Sequence, residues 1–143
     1  MRFYPEAQLR ASFEAKYIPE PNSGCWLWFG ANNGNGYPVI SIARKKIGGV
    51  NAYAHRLSYQ WANGPIPEGK EIDHLCRVRC CVNPEHLEAV THRVNMLRGE
   101  TIAAFHAAKT ACKRGHPFVA DNIYLTAKGK GCVDCRRAYD RMR

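Results

Sequence analysis

The sequence predicts an α+β protein. A small antiparallel sheet comes first, then a strand–loop–strand–helix core with loops stapled by Cys and His ligands, then a C-terminal Cys/His knuckle. Three observations carry this reading. Short apolar runs broken by Asn/Gly turns fill residues 25–53, short blocks of helical i, i+4 spacing flank them, and six of the seven cysteines fall in two groups. A chain of 143 residues with 45% hydrophobic content is one small globular domain or a core with an appendage. Such a chain buries a limited core, so metal staples are expected to contribute to its stability.

Taken in order, residues 5–17 read as a helix, with Pro5 in the first turn and Leu9, Phe13 and Tyr17 on one face; Pro19 and Pro21 end it. Cys25 to Phe29 is an apolar strand, Asn32 to Gly36 a turn by composition, and Tyr37 to Ile42 and Val50 to Tyr53 are further strands. Arg44-Lys45-Lys46 lies in the hairpin between the last two, so a twisted sheet with a basic tip can enter a DNA groove, the competing reading being a solvated turn. Ala54 to Asn63 is a helix with Leu57 and Trp61 inward, stopped by Asn63-Gly64-Pro65. Glu71 to Leu75 and Leu87 to Val90 form a strand and its return. Thr91 caps a helix from His92 that carries Asn95, and Gly99 separates it from a second segment through Ile102, Phe105 and Ala108. From Cys112 the chain becomes a small basic tail, with a hairpin over Asn122 to Gly131 and a short helix over Asp134 to Arg143.

A net charge of +9 and a pI near 9.4 favour a polyanionic partner. There is no secretory leader pattern and no apolar run near the roughly 18 residues a membrane span needs. A reducing, intracellular setting is expected, in which clustered Cys and His bind metal rather than form disulfides.

Structural zinc takes four thiolate or imidazole ligands in a tetrahedron. The tail supplies Cys112, His116, Cys132 and Cys135 within 24 positions, the last pair at C-x2-C spacing. The central stretch offers Cys76, Cys81 and His86, one ligand short. Cys25 and Cys80 compete for the fourth place, and Cys25 is favoured because the adjoining side chains of Cys80 and Cys81 rarely both face one ion. Asp73-His74, just upstream, places a metal-capable carboxylate beside a candidate general base.

The order of these residues resembles the HNH nucleases and the His-Cys box homing endonucleases, both built on the ββα-metal fold. The phrases CWLW, AHRLSY, IDHLCR and VNPEHLE, and the Cys-x3-His-Pro of the tail, resemble phage-type HNH proteins over most of residues 10–143. By that resemblance His74 is the general base, Asp73 and Asn95 are ligands of one catalytic Mg²⁺ (or Mn²⁺), and Asn83 steadies the loop. Cys25 answers the upstream cysteine of the zinc loop, and Arg56, or His55 in its place, clamps the scissile phosphate. His86 departs from plain HNH motifs, which often hold Asn there, and this favours zinc over simple loop bracing. The implied domains are residues 1–108, a nuclease core with an N-terminal helix and DNA-binding sheet, and residues 109–143, a zinc-binding, DNA-contacting module. The implied activity is a site-specific DNA endonuclease on double-stranded DNA, with two structural zinc ions. It leaves 5′-phosphate and 3′-hydroxyl ends, is phage-encoded, and works in the cytoplasm of a bacterial host. Symmetric cutting of both strands would need a homodimer. The alternative is a zinc-dependent nucleic-acid-binding protein without cleavage activity.

Overall fold

The computed structural model describes residues 2–44, 49–126 and 129–143. The chain forms two compact units, Met1–His92 and Arg93–Arg143.

In the first unit, β1 (Arg2–Phe3), β4 (Val39–Arg44) and β5 (Gly49–Tyr53) make a three-stranded antiparallel sheet in the order β1-β4-β5. The expected basic tip at Lys45 and Lys46 lies outside the described residues. Helix α1 (Glu6–Glu14) is shorter than the sequence suggested. Residues Tyr17–Pro19 turn into a strand, β2, paired antiparallel with β3 (Trp26–Trp28). Pro19 has no N–H to continue a helix, and in a two-stranded sheet it costs no interior ladder bond. Tyr17 also gains a stack on Trp26, centroids 4.7 Å apart.

The core joins Phe13 of α1, Trp28 of β3, Ile40 of β4, and Ala54 of helix α2 (Ala54–Asn63), with Val82 beneath. Phe13 meets the rings of Trp28 at 5.3 Å and Trp61 at 5.2 Å. Leu9, Leu57 and Trp61 pack against this cluster, as their helical spacing predicted. Strands β6 (Lys70–His74) and β7 (Leu87–Thr91) pair antiparallel, with Lys70 opposite Thr91 and His74 opposite Leu87. Leu75 falls outside the strand, half-exposed in the loop that follows. Helix α3 (His92–Arg98) follows β7 with no intervening residue.

The second unit contains α4 (Ile102–Ala108), the hairpin β8 (Ile123–Thr126) with β9 (Gly129–Cys132), and α5 (Val133–Asp140). Thr101 caps α4, its hydroxyl accepting the Ala104 N–H at 3.0 Å. The Tyr124 ring packs over Gly131, where a Cβ would sit 2.3 Å from it. Asn122 fastens the unit, its amide donating to the Pro117 carbonyl at 2.9 Å and its oxygen accepting the Asp134 N–H at 2.9 Å.

Candidate active site and metal centres

The twelve-residue loop from Leu75 to His86 is held by the sheet beside it rather than by its own composition. Trp28 donates its N–H to the Cys80 carbonyl and Val82 donates to the Trp26 carbonyl, both at 2.9 Å, so residues 80–82 run along β3 as an added strand. This pairing carries Cys25, at the mouth of β3, to the loop. Asn83 locks the junction: its amide donates to the Gly24 carbonyl at 2.7 Å and its oxygen accepts the Glu85 N–H at 3.0 Å, capping the Pro84–His86 turn.

Cys25, Cys76, Cys81 and His86 converge so that their ligand atoms lie within 4.8 Å of one another. His86 Nδ1 stands 3.5 Å from Cys25 Sγ and 3.6 Å from Cys81 Sγ. A zinc ion bound tetrahedrally at about 2.3 Å to sulfur and about 2.0 Å to nitrogen sets its ligand atoms about 3.5–3.8 Å apart. The cluster fits. Cys80 packs on the hydrophobic core instead.

In the second unit Cys112, His116, Cys132 and Cys135 converge within the same 4.8 Å limit. Cys135 Sγ is 3.6 Å from Cys112 Sγ and 3.3 Å from His116 Nδ1, and Cys132 Sγ is 3.6 Å from His116 Nδ1. Gly115, at φ 84°, closes the turn that brings Cys112 back to His116. This set also fits zinc.

The thiols of the two clusters differ in acidity. Burial pushes Cys81 up to about 12, with the nearby thiols of Cys76 and Cys25 adding to the rise. At Cys112 burial also raises the pKa, but the backbone N–H of Arg114 and the Cys135 and Cys132 thiols outweigh it and bring the group down to about 7. Cys135 is pushed up to about 11, by burial first and then by its neighbouring thiols.

His74 ends β6 and is buried. Its Nε2 lies 3.1 Å from the Cys81 carbonyl oxygen, which can only accept, so the hydrogen is assigned to Nε2 and Nδ1 keeps its lone pair. The metal loop therefore orients the imidazole directly. Burial holds His74 below its usual 6.5, opposed by the Cys81 hydrogen bond and the Asp73 charge. Asp73 is buried, and its Oδ1 accepts from Arg77 Nη1 at 2.7 Å. Arg77 itself has φ 59°, a left-handed conformation that costs a non-glycine residue energy.

The sequence singled out His55 only as a stand-in for Arg56, yet its ring lies 5.0 Å from that of His74. Tyr37 flanks both, at 5.6 Å from His55 and 6.1 Å from His74, and Tyr53 lies 5.6 Å from His55. The Asn32–Gly36 turn presents Tyr37, because Asn33 Oδ1 accepts the N–H groups of Asn35 and Tyr37. Burial, then the charges of His74 and Arg56, pushes His55 down to about 3, so it is neutral at ordinary pH. Its Nδ1 is buried with no hydrogen-bond partner among the described residues. Arg56 is half-buried on α2. Asn95 lies half-buried on α3, in the second unit. The signal for His55 was present in the AHRLSY phrase, but its proximity to His74 is a product of packing.

Residues 52–97 match the HNH endonuclease family. That stretch belongs to it. The HNH stretch holds Tyr53, His55, Arg56, Asp73, His74, Cys76, Cys81, Asn83, His86 and Asn95, whereas Cys25, Tyr37 and the tail cluster lie outside it. The chain is 37% identical over 67 residues to the uncharacterized gene 5.3 protein of Enterobacteria phage T3, covering 46% of this chain and 66% of that one. It is 35% identical over 78 residues to protein 2.8 of Escherichia phage T7, covering 54% and 50%. Against protein 7.7 of the same phage the identity is 34% over 71 residues, covering 50% and 51%. The chain thus spans about half to two thirds of the length of these curated relatives. No solved structure matches. The HNH match points to a nuclease-type function on nucleic acid and the relatives to a phage-type protein. Among the described residues no helix is long and apolar enough to cross a membrane.

Proposed function

We propose that the chain is a metal-dependent DNA endonuclease that hydrolyses phosphodiester bonds with His74 as general base. The observation that carries this is the state of the His74 ring. It is buried inside an HNH stretch, donates Nε2–H to a carbonyl of the metal loop, and has its pKa held below 6.5. At neutral pH its Nδ1 is then unprotonated and able to take the proton of an attacking water.

A desolvated carboxylate calls for a cation, and Asp73 already draws the Arg77 guanidinium at 2.7 Å. The oxygen donors of Asp73 and Asn95 are of the hard type that Mg²⁺ or Mn²⁺ prefers, and these two residues would hold it. When bound, the cation supplies Lewis-acid stabilisation of charge on the phosphate and the departing 3′-oxygen. β6, β7 and α3 then serve as the ββα-metal core, Asn83 steadies its loop, and the products are 5′-phosphate and 3′-hydroxyl ends. His55, being neutral, offers no charge to a phosphate, so the clamp falls to Arg56. Residues 109–143 add contacts to double-stranded DNA.

The test is incubation of supercoiled plasmid with zinc-loaded protein and Mg²⁺. Nicked or linear product is expected, and His74→Ala should lower its rate by about 10²–10⁴-fold while DNA affinity stays within about twofold. A mobility shift with no cleavage would make the chain a binding protein instead. Equal loss of binding and cutting in the variant would remove His74 from the role of base.

A further inference from the structure

Charge is distributed unevenly along the chain. Residues 93–143 carry 11 of the 21 Lys and Arg but only four of the 12 acids, so seven of the nine net positive charges fall in the second unit. Within it lies a cleft of about 450 Å³, lined by His106, Lys109, Lys113, Phe118 and Lys130, with no acidic side chain among its described lining residues. That volume is within the range of ligand-binding pockets, about 300–1,000 Å³.

Two of the charges are held in place. Lys130 Nζ donates to the Ala107 carbonyl at 2.7 Å and the Lys109 carbonyl at 3.3 Å, so the free end of α4 positions it, and it lies 6.0 Å from the Phe118 ring. Lys109 Nζ sits 4.8 Å from the Phe105 ring centroid. Lys113 directly follows the metal-cluster ligand Cys112, in the turn that Gly115 closes. Three lysines at one cleft with no carboxylate among its described lining residues repel one another until an anion arrives, and the Cys112 and Cys132 thiols that also line it are largely offset by the ion they would hold. The anchored Lys130 has little side-chain entropy left to lose when it does.

We propose that this cleft is a clamp for one backbone phosphodiester of the nucleic acid, with the phosphate among Lys109, Lys113 and Lys130 and the sugar against Phe118. It rests on the nuclease reading above and deepens it. The clamp reads no base, so it fixes the strand in register without adding sequence preference.

The experiment compares wild type, Lys109→Ala/Lys113→Ala and Lys109→Arg/Lys113→Arg, all as full zinc-loaded chains without Mg²⁺, on two duplexes of unrelated sequence. The alanine pair should weaken binding at least about tenfold on both duplexes and lower the salt slope by about one. The arginine pair should hold near wild type, and all three should retain equal zinc and melting temperature. Unchanged affinity and slope in the alanine pair overturn the clamp, as does a loss confined to one duplex. Inorganic phosphate bound as tightly as DNA also overturns it, since the cleft would then be a simple anion site. A wild-type protein that binds no duplex overturns the nuclease reading along with the clamp. Cleavage by wild type in the plasmid assay with Mg²⁺, beside unaltered binding by the alanine pair here, sinks the clamp alone.

Discussion

The two metal clusters share a ligand set, three cysteines and a histidine, yet they are assembled in opposite ways. The tail cluster draws its ligands from 24 consecutive positions, with one tight turn and one C-x2-C step. The central cluster joins Cys25 to His86, 61 positions apart, across a sheet contact. Burial follows the same division in part: the central cluster buries Cys25 and Cys81 beside half-buried Cys76 and His86, whereas the tail cluster buries Cys132 alone. Acidity divides them only in part: Cys112 is brought down to about 7, while Cys135 in the same cluster and Cys81 in the central one are pushed up to about 11 and about 12. A local, partly wet cluster offers a thiolate near neutral pH. Both clusters release protons as they take their metal, and in the long-range cluster ligation also ties Cys25 to the loop, so there it is coupled to folding. The local cluster organises a small basic unit; the long-range cluster holds the histidine on which the proposed chemistry depends.

That contrast can be broken most directly at Cys25. Cys25→Ser should lower bound zinc from about two ions per chain to about one and abolish cleavage, since a structural zinc contributes on the order of 10 kcal/mol to a small fold. Metal analysis with a plasmid assay checks this, and two retained zinc ions with normal cutting would show that the distant ligand is dispensable. Cys135→Ser should also remove one zinc. Its expected effect is smaller: hydrogen exchange in residues 1–92 stays at wild-type protection, while DNA affinity falls about tenfold because the basic unit loses its shape. Equal loss of protection in both units would end the distinction between them.

A milder perturbation sharpens the comparison through pH. His55 has a folded pKa of about 3, below its unfolded value near 6.5. On acidification the unfolded chain therefore takes the proton first. Stability is full above about pH 6.5 and is lost as the pH falls toward 3. Between pH 7 and 5 the loss should be on the order of 2 kcal/mol by urea unfolding at constant zinc occupancy. His55→Asn should flatten that slope. A wild-type slope surviving in the variant would assign the acid sensitivity elsewhere, to His74 or to the clusters.

Much of this was legible in the chain. Leu9 and Phe13, and Leu57 and Trp61, recur at helical spacing because each helix has one buried stripe, and both stripes do meet the core. The C-x3-H and C-x2-C steps of the tail are chain-local, so spacing alone brings their ligands within reach of one ion. Two elements were harder. The strand at Tyr17–Pro19 is only three residues long, and its proline argues against a strand where its Tyr and Ile favour one, so its pairing with Trp26–Trp28 is a tertiary effect. The ring contact between His55 near the start of α2 and His74 at the end of β6 joins residues 19 apart, and no local pattern encodes it.

By itself, then, the sequence determined which residue types are available for metal and proton chemistry, because charge, softness and short-range spacing are properties of the covalent chain. The tertiary structure decided which of two adjacent cysteines serves. Neighbouring side chains on an extended segment point to opposite faces, so once residues 80–82 pair along β3, Cys81 joins the cluster with Cys25 while Cys80 goes to the core. It also decided which nitrogen of His74 stays free, because only the folded loop sets the Cys81 carbonyl against Nε2.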